Sequence, residues 1–343
     1  MSTIFKSLLL LLTLTCITSC RDDIVKPNSR EEVFQSFWDI MNRRYIYFEE
    51  KKINWDSIYT VYYPQAKATK SDDELLKIIN EIIVQFKDRH LCLLKNTKKG
   101  YSYFLPTDSI NYVIHNYMSQ YNFIPLSIYN GKAYRTYQHQ LHHYAYMNYS
   151  SFLTPFDEEL FLANLKKLQY QEGLILDLRE NQGGFIDYLL PFVSMFYNGN
   201  KVVFQTSSKQ SSNKNDFGPL VPFSYPGKNI IPDSIPIIVL TRSKTYSCAN
   251  LCSYMLRELT NCYTVGSTTG GGGGSPHYEY LPNGWILGFP FIKAYSAKGA
   301  NTEYGLKPDF PVKYNSTKDT TDYPLIKAIN VLDSINHFEK ENL

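Results

Sequence analysis

The fold class of this chain follows from the segment Gly173-Leu-Ile-Leu-Asp-Leu-Arg-Glu-Asn-Gln-Gly-Gly184. A continuous apolar run that ends in turn residues and two glycines predicts a fully buried strand leading through a tight turn into a helix. The same order recurs downstream, where residues 236–241 form a second apolar run and residues 247–259 have helical spacing. Buried strands that alternate with helices are typical of α/β folds with a mostly parallel sheet. The sequence therefore predicts an α/β core over residues 144–343.

Two helix-start signals precede this core. Ser29-Arg-Glu-Glu32 and Ser71-Asp-Asp-Glu74 each place a serine three residues before a glutamate, which is the pattern of a capping box. Apolar residues then recur at helical spacing, and a shorter helix is predicted over residues 55–63. We therefore expect residues 30–90 to form an N-terminal helical domain.

The segment between the helices and the core, residues 91–143, changes character. Tyrosine-rich stretches there and at the start of the core are typical of short strands. These stretches are residues 101–104, 112–115, 123–129 and 144–149. Residues 91–143 are expected to form a short β-rich segment.

Composition excludes several classes of protein. The 343 residues carry 35 Lys and Arg against 32 Asp and Glu, a formal net charge of +3. That near-neutral balance argues against a nucleic-acid binder, which needs a dominant basic face. At 43% hydrophobic and 20% charged residues, the chain can build a sizeable core.

The cysteines suggest neither a disulfide framework nor a metal site. Six cysteines in so long a chain exclude a disulfide-built miniprotein. Cys248 and Cys252 fall four residues apart on a predicted helix, which is poor geometry for a disulfide. A metal site formed by Cys248, Cys252, Cys262 and His277 lacks the spacing of known ligand sets. We expect no metal and no organic cofactor.

The first residues have the features of an export signal. Lys6 precedes an apolar run at residues 8–14 that is too short to span a bilayer but fits a signal-peptide core. The run leads to Ile17-Thr-Ser-Cys20, which resembles a bacterial lipobox. We expect residues 1–19 to be a lipoprotein signal peptide, Cys20 to carry the lipid, and residues 20–29 to be a tether. The protein would then be lipid-anchored in the bacterial cell envelope, in the outer membrane and facing either the outside or the periplasm. The alternative is ordinary secretion with cleavage nearby.

Ser247 lies where a buried strand turns into a helix. Open α/β folds place their sites at this edge of the sheet, and the first N–H groups of a helix have no partner within it. Ser247 could attack a carbonyl while the N–H of Cys248 holds the oxyanion. In the alternative interpretation, Ser247 only caps the helix.

Two glycine-rich turns flank this region. Gly183 and Gly184 also follow a buried strand, so their N–H groups could supply a second oxyanion donor; the alternative is a plain tight turn. The five glycines at 270–274 are not followed by the Lys-Ser/Thr pair of a P-loop. They predict a mobile loop beside Ser247.

Five motifs together resemble the tail-specific, or C-terminal processing, serine peptidases. They occur in the order of that family, from about residue 30 to residue 312. They are Lys87-Asp-Arg-His90, the segment 173–184, Tyr246-Ser-Cys-Ala-Asn250, Val265-Gly-Ser-Thr-Thr-Gly270 and Glu303-Tyr-Gly-Leu-Lys-Pro-Asp309. The resemblance implies a crotonase-like α/β core behind an N-terminal helical domain. It also implies a peptide or protein substrate. Arg89 stands where glycine is usual.

The family has two catalytic arrangements. One pairs the serine with a downstream lysine, but the corresponding region here is the glycine run. The tricorn-core branch uses Ser, His and Glu, and the motif positions match Ser247, His90 and Glu303. Histidine suits a base that works near neutral pH, and Glu303 would orient it. The remaining alternatives are Lys244, Lys293 and Lys298 as bases and Glu279 in place of Glu303.

Many members of the family insert a PDZ domain, for which residues 91–143 are short, so we expect it to be reduced or absent. The substrate would then pair as an added strand near residues 181–184. The sequence thus predicts a lipid-anchored serine endopeptidase. One alternative is a catalytically weak relative that binds peptides or glycans at the cell surface. Another is a different acyl hydrolase, although the G-x-S-x-G elbow is missing.

Overall fold

The computed structural model describes residues 29–95, 100–102, 118–128, 134–313 and 321–341. The predicted signal peptide, Cys20, the tether before Ser29 and the predicted strand at 112–115 lie outside these residues. Among the residues described, no helix combines the length and apolar character needed to cross a bilayer.

The chain alternates helices with two sets of strands. The helices are α1 Arg30–Arg44, α2 Trp55–Ala68, α3 Asp72–Gln85, α4 Glu158–Leu165, α5 Ile186–Val193, α6 Cys248–Arg257 and α7 Tyr323–Glu341. The strands are β1 Cys92–Leu94, β2 Gly100–Ser102, β3 Phe123–Ile128, β4 Tyr134–His139, β5 Tyr144–Tyr149, β6 Gly173–Asp177, β7 Asn198–Ser208, β8 Val221–Lys228, β9 Ile237–Thr241, β10 Cys262–Gly266, β11 Gly274–Tyr280, β12 Ile286–Ser296 and β13 Phe310–Pro311.

The N-terminal helices begin at the predicted caps. The Ser29 side chain accepts from the Glu32 N–H at 3.2 Å, and the Glu32 carboxylate accepts from the Ser29 N–H at 2.8 Å. The Ser71 side chain accepts from the Glu74 N–H at 3.2 Å, but the Glu74 carboxylate accepts from the Lys70 N–H at 2.7 Å, so only one of the two bonds of the predicted capping box forms. Helix α2 runs beyond its predicted end through Pro64 to Ala68. The confirmed α/β class therefore includes the expected helical region at the N-terminus.

These helices share their core with the second sheet. Phe34, Phe37 and Trp55 are fully buried against Trp285 and other apolar residues of the β11–β12 region. Burying each such side chain contributes about 1.5–3 kcal/mol. The helical region therefore packs against β12. This packing positions residues 86–91, which follow α3.

One sheet is the predicted α/β core. Its strand order is β13-β10-β9-β6-β5-β4-β3, with parallel pairing from β13 to β5 and antiparallel pairing beyond. All residues of β6 and β9 are buried, as their continuous apolar runs predict. The carboxyl ends of β6 and β9 lead into the turns at 181–184 and 245–247.

The other sheet has the order β2-β1-β12-β7-β8, with β11 added to β12, and its pairs are antiparallel. The described part of residues 91–143 divides between the two sheets. Strands β1 and β2 join this sheet, whereas β3 and β4 extend the core sheet beyond β5.

A buried arginine ties the end of β6 to the last helix. Arg179 contacts Asp177 and Asp322, each at 2.7 Å, and the side chains of Arg179 and Asp177 are 0% exposed. Burial raises the pKa of Asp177, but Arg179 and the Tyr146 hydroxyl outweigh it, and the net pKa is lowered. The ion pair thus fixes the segment that leads into the 181–184 turn.

Replacing Arg179 with Met is expected to lower the free energy of unfolding by about 3–5 kcal/mol, because it leaves buried carboxylates unpaired. Urea denaturation measures the change. Arg257→Met is the matched control, since its pair with Asp309 is 44% exposed on the arginine side and should contribute at most about 1 kcal/mol. Equal losses in the two variants would contradict the assignment.

Candidate active site

Ser247 sits in a strained turn between β9 and α6. Its φ of 53° and ψ of −124° lie where non-glycine residues are rare. The Ser247 N–H donates to the Gly271 carbonyl at 2.9 Å, and the Tyr246 N–H donates to the Asn181 carbonyl at 3.1 Å. Although Ser247 precedes α6, its side chain makes no capping bond. The turn therefore presents the hydroxyl away from the helix, which the capping alternative does not explain.

His90 faces this hydroxyl. Its Nε2 lies 3.1 Å from Ser247 Oγ, within hydrogen-bond reach of a nucleophile and its base. The Asp88 carboxylate holds the loop by accepting from the His90 N–H at 2.9 Å and from the Tyr45 hydroxyl at 2.8 Å. Burial lowers the pKa of His90, Asp88 opposes this, and Arg89 and Lys51 add to it. The lowered pKa favours the neutral imidazole, which can accept a proton.

Glu303 lies in the short 3₁₀ turn Thr302–Tyr304 and is 7% exposed. One carboxylate oxygen contacts Lys51 Nζ at 2.5 Å, and the other accepts from the Gly273 N–H at 2.8 Å. Burial raises the pKa of Glu303, Asp88 adds to the rise, and Lys51 opposes it. The structure therefore places Glu303 in a polar pocket held by a lysine that the sequence did not single out.

The expected direct bond from Glu303 to the imidazole is not formed. His90 Nδ1 is buried and has no hydrogen-bond partner among the residues described. The Tyr47 and Tyr246 hydroxyls are also buried and have no hydrogen-bond partner within the described ranges. The imidazole is thus oriented in this structure by its backbone, its contact with Ser247 and its packing on the Tyr246 ring, 5.0 Å away between centroids.

The two tyrosines reach the glycine run on either side of Glu303. A Cβ on Gly272 would lie 2.4 Å from Cζ of Tyr246, and a Cβ on Gly274 would lie 3.4 Å from the Tyr47 hydroxyl oxygen. Gly273, between them, donates to Glu303. Tyr246, Glu303 and Tyr47 therefore contact three consecutive glycines of the run, residues 272–274.

The glycine run itself is packed, which corrects the expectation of a mobile loop. A Cβ on Gly271 would lie 2.1 Å from the Glu303 carbonyl oxygen, and one on Gly273 would lie 2.3 Å from Thr302 Oγ1. The Gly273 carbonyl accepts from the Ala294 N–H at 2.7 Å. Glycine is required because the chain passes close to the Glu303 turn, not because the segment must move.

The three proposed oxyanion donors differ in availability. The Gly183 N–H already donates to Asn181 Oδ1 at 2.8 Å. Within the described ranges, the N–H groups of Cys248 and Gly184 donate no hydrogen bond. Gly183 packs closely against Ser247, since a Cβ on Gly183 would lie 2.8 Å from Ser247 Cβ. Cys248 and Gly184 are therefore the two predicted donors whose N–H groups are free to bind an oxyanion.

Arg89 links the histidine loop to the oxyanion turn. Its guanidinium carbon lies 4.0 Å from the centroid of the Tyr246 ring, and one nitrogen donates to the Gln182 side chain. A cation stacked on an aromatic face in this way is typical of arginine. Arg89 thus braces the site at a position where glycine is usual in the resembling family.

The alternative bases contact other carboxylates. Lys244 lies 3.3 Å from Glu180. Lys293 lies 2.5 Å from Glu50, and Lys298 lies 2.5 Å from Glu258. The alternative acid, Glu279, pairs with Arg44.

The cysteines considered for a metal do not gather with acids or histidines. Cys92, Cys248, Cys252 and Cys262 are free thiols, and no group of metal-ligating side chains occurs among the residues described.

Sequence inspection missed Lys51, Asp88 and Tyr47. Lys51 lies in Glu49-Glu-Lys-Lys52, which looks like a solvated charge run. Asp88 carried a signal, because it stands two residues before the candidate base within a quoted motif.

Two family models match the chain. The model of peptidase family S41 matches residues 143–312, and that of the tricorn protease C1 domain matches residues 26–84. A solved structure of a candidate peptidase from Parabacteroides merdae is 26% identical, with a TM-score of 0.78 over 89% of this chain and 97% of that one. Mature CPAF is 11% identical, with a TM-score of 0.63 over 91% and 97% of the two chains. The photosystem II D1 C-terminal processing protease is 12% identical, with a TM-score of 0.52 over 88% and 97%. The last two show likeness of fold.

Proposed function

Because the chain belongs to peptidase family S41 and is a serine peptidase, we propose that it is an endopeptidase whose nucleophile is Ser247, whose base is His90 and whose supporting acid is Glu303. One observation carries the proposal: a serine held at a φ of 53° points its hydroxyl at an imidazole nitrogen 3.1 Å away. Strained backbone of this kind is found where a side chain must be presented for chemistry.

The acylation step follows from these positions. His90 Nε2 takes the proton of the Ser247 hydroxyl while Oγ bonds to the scissile carbonyl carbon. The N–H groups of Cys248 and Gly184 bind the oxygen on which negative charge develops. When the tetrahedral intermediate collapses, the carbon–nitrogen bond breaks and the imidazolium gives its proton to the departing amine. Water then hydrolyses the acyl-enzyme. His90 takes a proton from the attacking water and gives it to Ser247 Oγ when the ester bond breaks.

Buried charged groups near His90 affect the stability of its protonated form. Asp88 and Glu303 are buried carboxylates in the same pocket, and Lys51 balances Glu303. In our proposal the Asp88 carboxylate stabilises the imidazolium charge, and Glu303 contributes at longer range without a direct bond to His90 Nδ1.

A serine-directed phosphonate tests the proposal against the alternative of a catalytically weak binding protein. Labelling that maps to Ser247 and is lost in the His90→Ala variant supports a working nucleophile. Cleavage of a peptide library then identifies which peptide bonds the protein cuts. A folded protein that neither reacts nor cleaves would support the binding alternative.

The acid limb of kcat/KM should lie at or below the ordinary histidine pKa of about 6.5, because burial lowers the pKa of His90 and only the neutral form accepts the proton. Activity should rise with pH through that limb. Arg89→Met should move the limb to higher pH, because the Arg89 cation disfavours the imidazolium. A pH profile of both proteins measures this. A base titrating above about 8 that disappears in Lys293→Ala would instead point to a lysine.

We further propose that the protein is anchored to the bacterial cell envelope through a lipid on Cys20. The support is the basic and apolar leader followed by the lipobox-like Ile17-Thr-Ser-Cys20. In this proposal residues 20–29 are the tether between the lipid and α1, which Ser29 caps.

Cys20→Ser is expected to abolish lipidation and to release the protein into the soluble fraction of the cells. Metabolic labelling with an alkyne fatty acid and membrane fractionation measure the two effects. Cys16→Ser is the matched control, since Cys16 would be removed with the signal peptide. Mass spectrometry that finds an unmodified Cys20 in the wild type would contradict the anchor.

A further inference from the structure

Two large apolar side chains are exposed beside the oxyanion turn. Leu153 is 64% exposed and Phe185 is 56% exposed. Single exposed apolar residues are ordinary, but an adjacent pair next to a reactive turn is a candidate binding surface.

The backbone holds the pair together. The Phe152 N–H donates to the Gly183 carbonyl at 2.9 Å, and the Phe185 N–H donates to the Phe152 carbonyl at 2.8 Å. These bonds make a parallel bridge between Phe152 and Gly184. Leu153 and Phe185 directly follow the two bridged residues, and a Cβ on Gly184 would lie 2.5 Å from the Leu153 nitrogen, so the two residues occupy neighbouring backbone positions.

The anchor of the pair is rigid. Phe152 is 0% exposed and packs on Tyr149 and Phe192. Gly184 has no room for a side chain, because a Cβ there would lie 2.1 Å from the Phe152 carbonyl. The Phe185 ring also meets Tyr188 edge-on at 5.4 Å. The backbone that carries the exposed pair is therefore closely packed.

The pair is close to the reaction centre. Gly183 abuts Ser247, and the Gly184 carbonyl accepts from the Cys248 thiol at 3.0 Å. Since Phe152 occupies one edge of this turn, the free N–H of Gly184 points to the opposite edge, where the Cys248 thiol lies. An extended substrate advances about 3.3 Å per residue, so the substrate side chains we assign to Leu153 and Phe185 are those within two residues of the scissile bond.

We propose that Leu153 and Phe185 form an apolar subsite that selects peptides with a large aliphatic or aromatic side chain within two residues of the scissile bond. This inference rests on the proposed peptidase function. The site removes apolar surface of enzyme and substrate from water together, which gives the selection its driving force.

The test compares peptides that differ at one position, with Leu, Phe, Ala or Asp placed at each of the three positions on either side of the cut. Wild type should prefer Leu or Phe over Ala at one position by roughly tenfold or more in kcat/KM, as apolar pockets do. Leu153→Ser and Phe185→Ser should each reduce that ratio severalfold through KM. Leu141→Ser is the matched control, because Leu141 is 73% exposed in the β4–β5 turn.

The outcomes separate the two proposals. Ser247-dependent cleavage with an unchanged Leu-to-Ala ratio in both variants would overturn the subsite and leave the peptidase function standing. Absence of Ser247-dependent cleavage of every peptide by the folded wild type would overturn both. A variant Phe185→Arg supplies an independent check, since it should raise the relative cleavage of the Asp peptide at the same position; no such gain would count against the subsite.

Discussion

Ser247→Ala is expected to reduce kcat by about a million-fold, the loss seen when the nucleophile of a serine peptidase is removed. Fold and stability should persist, because Ala keeps the Cβ that packs against Gly183 and the backbone bonds to Gly271 remain. Residual activity would come from the oxyanion donors and substrate binding alone. Single-turnover cleavage of a matched peptide, with a thermal melt of each protein, measures both properties.

A serine on the surface near the same glycine run supplies the control. Ser275 is exposed on β11, so Ser275→Ala should keep wild-type activity and stability. If Ser247→Ala were to retain activity within tenfold of wild type, the nucleophile would have to be another group. A loss of activity accompanied by unfolding would instead show that the strained turn depends on the Ser247 hydroxyl.

The parts of the fold that the sequence predicts are those with local causes. The buried runs in β6 and β9 are apolar throughout because parallel strands are covered on both faces, and the caps at Ser29 and Ser71 need only their own helix starts. The class of fold could therefore be predicted before any tertiary contact was known.

The second sheet could not be predicted in the same way. Strands β11 and β12 contain Pro276 and Pro290, and they mix buried with exposed residues. Their pairing brings together segments far apart in the chain, such as β1 with β12. The glycines at 270–274 were misjudged for a related reason. Glycine permits either motion or close approach, and only the position of the Glu303 turn distinguishes the two.

The pair Ser247 and His90 has no local signature, since 157 residues separate them. Only the order of the motifs suggested that they meet. Lys51 and Tyr47 had no signal at all, because their role arises from contact with a distant turn.

The site is assembled from both ends of the chain. The helical region supplies His90, Lys51 and Asp88, whereas the core supplies Ser247 and Glu303. Strand β1 follows His90 directly and pairs with β12, and the helices share a core with that strand. The helical region therefore positions half of the proposed site.

His90→Ala is expected to reduce kcat nearly as much as Ser247→Ala, and the double variant should lose no more than either single one. The reason is that the serine is a weak nucleophile without its base, so the two residues act as a unit whose effects do not add. A cycle of kcat/KM values for the four proteins measures the coupling.

Added imidazole should partly restore activity in His90→Ala but not in Ser247→Ala, because only the first variant keeps the nucleophile. His142→Ala is the matched control, since His142 is exposed in the β4–β5 turn. Additive losses, or wild-type activity in His90→Ala, would show that a different group removes the proton from Ser247.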